Sequence, residues 1–181
     1  SSSLAGLFGY SKGATIRNVV LDSSCSVVSS YRSSGDYAYA GGIVGHCNGP
    51  FTIENCVNMA SLSYTGPYIN GNTYIGGITG FSSGSSSKHY IQNCLNYGTL
   101  IHSGATSFLH IGGVLGKTFE GINTSDNCVS GGKVIQNKDS KYIGGIVGCI
   151  DSRTITNITH CYWSSDVGCN SVCGDGTPTI T

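Results

Sequence analysis

Nine cysteines are the most reactive side chains in this sequence of 181 residues. Four of them recur at intervals of 33 to 38 residues: Cys56, Cys94, Cys128 and Cys161. A zinc site would need ligands that converge from close pairs, which this spacing does not supply, so we expect no metal here. The column predicts either packed thiols or disulfides between neighbouring repeats, and the tendency of free cysteine to be buried favours packing.

The remaining cysteines occupy other kinds of position. Cys169 and Cys173 lie in a polar C-terminal segment, where a disulfide would clamp a short loop over the end of the fold. Cys25 aligns with Leu62 and Leu100 in other repeats, so we expect it in the core. An odd number of cysteines leaves at least one thiol unpaired or joined to another chain.

Aromatic rings form a second column with a possible binding role. It consists of Tyr39, Tyr74, His110 and Tyr142. The residue after each of them is apolar, so strand alternation predicts that the aromatic column faces outward. An outward row of rings could stack on sugar faces, or it could simply stabilise a sheet by stacking between strands.

Acids and histidines give no catalytic pattern. The acidic residues occupy different repeat positions, so the sequence predicts no carboxylate pair of the glycosidase type. The five histidines share no column, and no Gly-x-Ser-x-Gly elbow is present. We therefore predict no catalytic residue and no cofactor. Asn123 and Asn157 each begin an Asn-x-Ser/Thr triplet and are candidates for glycosylation.

A repeated glycine phrase must position these columns. The phrase reads Gly-Gly-Ile-Val-Gly or a close variant at 5–9, 41–45, 76–80, 112–116 and 144–148, so successive copies start 36, 35, 36 and 32 residues apart. A unit of this size cannot bury its own apolar face, so neighbouring copies must stack. The glycines suit corners, where the backbone needs positive φ or a close approach.

A second block in each copy reads as a strand, for example Ile53 to Val57 and Ile91 to Leu95. Together with a third apolar position, the pattern predicts an all-β parallel β-solenoid of about five coils of about 35 residues, with three short strands per coil. The expected copies span 4–38, 39–73, 74–109, 110–141 and 142–168, followed by a tail at 169–181, in one domain.

The alignment predicts which columns are buried. The three expected core columns are Ile43, Ile78, Val114 and Ile146; Val57, Leu95 and Val129; and Leu62, Leu100 and Val134. The column Arg17, Glu54, Gln92, Asp126 and Thr159 is expected outside. The asparagine column of Asn18, Asn55, Asn93 and Asn127 should form an amide ladder inside the coil or left-handed corners, since asparagine suits both.

Charge and composition exclude several function classes. Nine basic and nine acidic residues give a net charge of zero, and the basic residues form no cluster that would bind nucleic acid. No apolar run is long enough for a membrane span. The cysteine content favours an extracellular location. The first repeat begins abruptly, so we expect a fragment of a longer protein whose first coil is covered by another repeat, domain or subunit.

At the glycine phrase and the Ile-x-Asn-Cys-Val block, the chain resembles the GLUG-motif repeat family. The closest matches are 41–45 with 53–57, and 76–80 with 91–95. The resemblance covers nearly the whole chain, although the first copy lacks the cysteine, the fourth lacks the isoleucine and the fifth has His160 in place of asparagine. It implies a secreted or cell-surface protein, such as an adhesin or a large surface peptidase, in which the repeats are not catalytic.

The sequence therefore leads to two hypotheses of different classes. The first is a non-catalytic structural or adhesive module that presents a solenoid face to glycans, to a host surface or to neighbouring subunits, including as a filament. The alternative is a polysaccharide-active β-helix enzyme, either a lyase or a glycosidase. The mixed column from Arg17 to Thr159 lacks the gathered acids and bases of such an enzyme and favours the module.

Overall fold

The chain folds as a parallel β-solenoid, as the repeat predicts. The structure is a computed structural model, and it describes residues 3–30, 37–66, 69–85, 87–104, 106–136 and 142–181. No α-helix occurs in these segments, and all strand pairs are parallel. Four complete coils are followed by a fifth coil that lacks its last strand. The predicted fold class is confirmed.

Each complete coil contains five short strands rather than the three that we expected. The first coil has β1 (Ser3–Ala5), β2 (Phe8–Lys12), β3 (Thr15–Arg17), β4 (Val20–Leu21) and β5 (Ser26–Ser29). The second has β6 (Ala38–Gly41), β7 (Val44–Asn48), β8 (Phe51–Glu54), β9 (Val57–Asn58) and β10 (Ser61–Tyr64). The third has β11 (Ile69–Gly76), β12 (Thr79–Ser83), β13 (Lys88–Gln92), β14 (Leu95–Asn96) and β15 (Leu100–His102).

The later coils follow the same order. The fourth has β16 (Thr106–Gly112), β17 (Leu115–Phe119), β18 (Ile122–Asp126), β19 (Val129–Ser130) and β20 (Val134–Gln136). The fifth has β21 (Tyr142–Gly144), β22 (Val147–Ile150), β23 (Ile155–Thr159) and β24 (Tyr162–Trp163). A 3-10 helix (Ser165–Val167), β25 (Cys173–Asp175) and β26 (Thr179–Ile180) complete the chain.

Corresponding strands of successive coils stack into five sheets. The first strands form sheet A, the second strands sheet B, and so on to sheet E. The C-terminal tail extends two of them, because β25 pairs with β22 in sheet B and β26 pairs with β23 in sheet C. Stacking at the spacing of a parallel ladder brings equivalent residues of successive coils into columns.

The predicted central core column is confirmed. Ile43, Ile78, Val114 and Ile146 are all fully buried. They belong to one apolar cluster, and a second cluster includes Leu62 and Leu100 from the third predicted column. Val134, at the end of that column, is only half-buried.

The predicted burial of the column Val57, Leu95 and Val129 is wrong. The three residues are in register, as expected, but they lie half-exposed on the outer side of sheet D. Cys56 and Asn58, on either side of Val57, are buried instead. The reason is a left-handed residue at Asn55, with φ of 54°, which turns the chain and shifts the inward–outward alternation by one residue.

The asparagine column forms the left-handed corners that we expected, and its amide ladder lies on the surface. The φ angles of Asn18, Asn55, Asn93 and Asn127 lie between 50° and 57°. The Nδ2 of Asn93 donates to Oδ1 of Asn55 at 3.1 Å, and Asn127 donates to Asn93 at 2.8 Å. These residues are exposed, so the ladder fixes a corner from outside the core.

Cys25 is exposed, which contradicts its predicted place in the core. The register aligns Val27, not Cys25, with Leu62. The first coil has two more residues than the second between these columns, because Leu21 aligns with Asn58. A turn closed by the carbonyl of Asp22, which accepts from the backbone N–H of Cys25 at 3.0 Å, accommodates the extra length.

The glycine phrase makes an elbow between sheets A and B. A Cβ added to Gly77 would lie 2.2 Å from both Cγ of Asn96 and the carbonyl oxygen of Gly113. A Cβ on Gly76 would lie 2.0 Å from the carbonyl oxygen of Thr79. Neither glycine has a positive φ, so close backbone approach alone requires glycine at these two positions.

Candidate functional site

The predicted aromatic column exists as a stack, but most of it is buried. Tyr39, Tyr74 and His110 are almost completely buried, and only Tyr142 is half-exposed. Ring centroids are 5.6 Å apart for Tyr39 and Tyr74, 5.1 Å for Tyr74 and His110, and 4.6 Å for His110 and Tyr142. The expectation of an outward row of accessible rings is therefore wrong for the first three residues.

Rings from sheet B cover the stack. At the elbow the outer sides of sheets A and B face each other, so Phe81 stacks on Tyr39 with centroids 4.6 Å apart. His46 lies 5.2 Å from the same ring. The two columns cover each other in the second and third coils, and there the aromatic residues stabilise the elbow.

A groove opens where this cover ends, in the last two coils. In the outer column of sheet B, His46 and Phe81 are followed in register by Lys117, Cys149 and the tail residue Asp175. We call the resulting cavity of about 720 Å³ the elbow groove. Its lining comprises Asn72, Phe108, His110, Lys117, Tyr142, Cys149, Ile150, Asp151, Ser152, Thr154, Asp175, Gly176 and Thr177.

Two rings give the elbow groove an apolar surface. Phe108, on β16, is 55% exposed. Tyr142 adds a half-exposed ring that stacks on the buried imidazole of His110. Flat rings held by a rigid sheet offer contact area at low entropic cost, which suits a flat apolar ligand surface.

Polar groups surround those rings in fixed positions. The hydroxyl of Tyr74 accepts hydrogen bonds from Nδ2 of Asn72 at 2.8 Å and from Nζ of Lys117 at 3.5 Å. The same Nζ lies 5.1 Å from the centroid of the Tyr74 ring, a cation–π distance. Burial raises the pKa of Tyr74 to about 12, so this hydroxyl stays protonated at neutral pH.

The histidine and the thiol of the groove are neutral at pH 7. Burial, with a smaller contribution from the charge of Lys117, lowers the pKa of His110 to about 4. Burial raises the pKa of Cys149 to about 11, which keeps it as a weakly nucleophilic thiol. Its Sγ points to Oδ2 of Asp175 at 3.9 Å. Neither group has the protonation behaviour of a nucleophile or general base working at neutral pH.

The carboxyl group of Asp151 is ionised at neutral pH. Burial opposes ionisation of Asp151, but hydrogen bonds from Arg153 and the charges of Arg153 and Lys117 outweigh it and lower the pKa of Asp151. Arg153 also pairs with Glu120 at 2.7 Å, which anchors this wall of the groove. Asp175 is exposed on the opposite, tail side. The groove thus offers two carboxylates as hydrogen-bond acceptors and one ammonium as donor.

The cysteine column packs as free thiols. All nine cysteines are free, and those at 56, 94 and 128 are buried, in line with the preferred packing role. The thiols of Cys94 and Cys128 donate to the carbonyl oxygens of Gln92 and Asp126 at 3.1 and 3.3 Å. Hydrogen bonding to the neighbouring Cys94 thiol, followed by burial, raises the pKa of Cys56.

The two tail cysteines do not form the disulfide that we considered. Cys173 is buried, and its Sγ donates to the carbonyl oxygen of Asp175 at 2.8 Å. Cys169 is half-buried, with Sγ 3.4 Å from the carbonyl oxygen of Ser171. The tail closes over the fifth coil through strand pairing of β25 and β26.

The two candidate glycosylation sites differ in accessibility. Asn123 is 2% exposed and points inward from β18, where its Oδ1 accepts from the hydroxyl of Ser82 at 2.8 Å. Its Oδ1 also lies 3.1 Å from Nδ1 of His89. In the folded protein Asn123 is therefore inaccessible to glycosylation. Asn157 is half-exposed and aligns with the outward Thr124, so it stays accessible.

No cluster of three or more histidine, cysteine, aspartate or glutamate side chains is arranged to hold a metal ion within the described segments. No helix in those segments is both long enough and apolar enough to cross a bilayer.

Comparison of the chain with known protein families, with curated proteins and with solved structures finds no match. The geometry of the elbow groove is therefore the basis for inferring the function of the chain.

Sequence reasoning found Tyr142 and His110 but missed Phe108, Lys117 and Asp175. The alignment of the glycine phrases already placed Lys117 in the same column as His46 and Phe81. The change from aromatic rings to a lysine in that column was the sequence signal that could have indicated the groove. No sequence signal indicated Asp175, because it reaches the groove through a tail strand that continues sheet B without the repeat pattern.

Proposed function

We propose that this chain is a non-catalytic structural and adhesive module of a secreted or cell-surface protein, and that the elbow groove binds a glycan. The observation that carries the proposal is the exposed ring of Phe108 beside Tyr142 in a groove that also presents Lys117, Asp151 and Asp175. Sugars bind through the same combination, because their C–H faces stack on rings while their hydroxyls need donors and acceptors.

The size of the groove suits a saccharide ligand. A cavity of about 720 Å³ falls within the usual range of small-molecule sites, about 300 to 1,000 Å³. The groove runs across successive strands of a rigid sheet, so its rings do not need to rearrange on binding. Preorganisation of this kind lowers the entropic cost of association.

The protonation states favour binding over catalysis. The neutral His110, the protonated Cys149 and the ionised Asp151 leave the groove without a side chain poised near neutral pH for proton transfer. The resemblance to the GLUG-motif repeats, in which the repeats are not catalytic, points in the same direction. The proposed secreted location follows from that resemblance.

A glycan microarray probed with the labelled chain tests the proposal. We expect binding to a defined group of saccharides, and a loss of about tenfold in affinity for Phe108→Ala, which corresponds to about 1.4 kcal/mol. The matched control is Tyr97→Ala, because Tyr97 is equally exposed, at 54%, but lies outside the groove. Equal binding by Phe108→Ala and the wild type would contradict the proposal.

One observation favours a second candidate function, a polysaccharide lyase or glycosidase. Asp151 and Asp175 both line the elbow groove together with Lys117, so acids and a base are gathered in one place. An enzyme would release reducing ends, or products with ultraviolet absorbance, from a polysaccharide, and Asp175→Asn would abolish that release. Binding without any such product would assign the groove to adhesion alone.

A further inference from the structure

The charged side chains in and beside the elbow groove are unevenly paired. Arg153 serves two carboxylates at once, because its guanidinium group lies 2.7 Å from Glu120 and 3.1 Å from Asp151. In the part of the chain that the structure describes, Asp175 takes part in none of the ion pairs. With Lys117 included, three carboxyl groups face two cations, so the formal charge of this region is negative.

The one ammonium group that lines the groove already has a partner. Nζ of Lys117 donates to the hydroxyl of Tyr74 at 3.5 Å and lies 5.1 Å from the centroid of the same ring. Tyr74 is almost completely buried, so these contacts hold the ammonium group against the protein. An acidic sugar would compete with Tyr74 for this ammonium group, and it would also meet the carboxyl groups of Asp151 and Asp175.

The exposed rings complete a surface that suits a cation. Phe108 and Tyr142 line the groove together with Asp151 and Asp175. The face of an aromatic ring attracts a cation, and it also packs against the C–H face of a sugar. A carboxylate accepts strong, charge-assisted hydrogen bonds from an ammonium group. Rings and carboxylates in one groove therefore match a sugar that carries a protonated amine.

We infer that the elbow groove selects amino sugars, whose units carry a protonated primary amine, over neutral sugars and over uronic acids. The inference rests on the proposed glycan-binding function and adds the charge of the ligand to it. The sugar ring stacks on Phe108, and its amine pairs with the carboxylate of Asp175. Uronic acids bind most weakly, because their carboxylates approach a region of the same sign.

Isothermal titration calorimetry with hexasaccharides of glucosamine, N-acetylglucosamine and galacturonate tests this inference. The first two ligands differ only in the amine, which acetylation makes neutral. At about pH 5.5 the amine is protonated while Asp151 is ionised and His110 is neutral. We expect glucosamine to bind about fivefold more tightly than N-acetylglucosamine, the gain of one exposed ion pair with a cation–π contact, and galacturonate to bind most weakly. High salt should reduce this preference.

Two variants assign the preference to the groove. Asp175→Asn should reduce the preference for glucosamine over N-acetylglucosamine about threefold, and Lys117→Gln should increase it by a similar factor. Asp166→Asn is the matched control, because it removes a carboxylate that is exposed outside the groove, and it should leave the preference unchanged. Far-UV circular dichroism checks that each variant folds.

The outcomes separate this inference from the proposed function. If none of the three hexasaccharides binds, the glycan-binding function itself fails and the inference fails with it. If N-acetylglucosamine binds and glucosamine binds no more tightly, the groove binds glycans but the inference of amino-sugar selectivity is overturned. A preference that Asp175→Asn and Lys117→Gln both leave unchanged would overturn it as well.

Discussion

One asparagine in each of the first four coils supports two features of the corner at the same time. Its backbone adopts the left-handed conformation, and its side chain hydrogen-bonds to the asparagine of the neighbouring coil. Alanine would lose both contributions, whereas glycine would restore only the backbone freedom. The asparagine corners also determine which later residues face inward, as Cys56 and Val57 show.

Asn93 separates these two contributions experimentally. We expect Asn93→Ala to lower the free energy of unfolding by about 2 kcal/mol, because the left-handed conformation alone costs a residue with a Cβ about 1 to 2 kcal/mol. Asn93→Gly should cost less, and the remaining loss reports the two amide hydrogen bonds. Urea denaturation measures both variants. If glycine proved as damaging as alanine, backbone strain would not be the reason for asparagine at this corner.

Buried histidines make the stability of the elbow dependent on pH. Burial lowers the pKa of His46 and of His110 from 6.5 to about 4. Between pH 6.5 and pH 4 these two histidines are therefore protonated in the unfolded chain and neutral in the folded chain. Their contribution to the stability of the fold is complete above pH 6.5 and falls as the pH drops through this window.

Replacement of His110 tests that pH dependence. His110→Gln should flatten the fall in melting temperature between pH 7 and pH 4.5, since the buried group no longer titrates. His160→Gln is the control, because His160 is exposed on the surface of the last corner. An unchanged pH profile for His110→Gln would show that the imidazole is not protonated on unfolding in this range.

At the scale of elements, the glycine phrase sets the distance between sheets A and B. The second glycine of each pair faces a side chain of sheet D, as Gly77 faces Asn96 and Gly145 faces Trp163. The buried amide of Asn96 in turn accepts from Asn58 at 2.8 Å, so the elbow packs against an internal amide pair. These contacts fit only because the second glycine of the pair has no Cβ.

Gly77→Ala should therefore destabilise the whole solenoid. The added Cβ would lie 2.2 Å from Asn96 and from the backbone of Gly113, and overpacking of this kind costs about 1 to 3 kcal/mol. Gly9→Ala is the matched control from the same phrase, since its nearest neighbour would be 3.3 Å away. Differential scanning calorimetry of both variants checks the expectation, and equal melting temperatures would refute close packing as the cause.

The sequence predicts the register of the repeats better than it predicts which side chains within a repeat face the core. The register of the glycine phrase and the full burial of Ile78 follow from periodicity alone. The outward position of Val57 does not follow from periodicity, because the left-handed residue Asn55 reverses the inward–outward alternation. A period-two sequence pattern does not indicate where such a residue occurs. The position of Val27 is equally hidden, since two extra residues in the first coil shift the third column.

At the scale of the whole molecule, the candidate site arises from a contrast between two columns. Sheet A keeps its rings through Tyr142, while sheet B exchanges the ring of Phe81 for Lys117. The elbow is therefore filled in the second and third coils and open in the last two coils. Neither column shows this by itself, which is why the sequence placed the binding surface on buried residues such as Tyr39.

The solenoid gives the chain a functional polarity. The open groove lies towards the C-terminal end of the solenoid. The proposed module thus combines a rigid rod with a glycan-binding groove near one end.

NMR mapping on the ¹⁵N-labelled chain tests directly whether the elbow groove binds a glycan. The probes are hexasaccharides of glucose, N-acetylglucosamine, xylose and galacturonate, added one at a time. We predict that at least one class shifts the amide resonances around Phe108, Lys117 and Tyr142, and that Phe108→Ala removes those shifts while the fold persists. Shifts confined to other surfaces, or no shift with any saccharide, would contradict the claim.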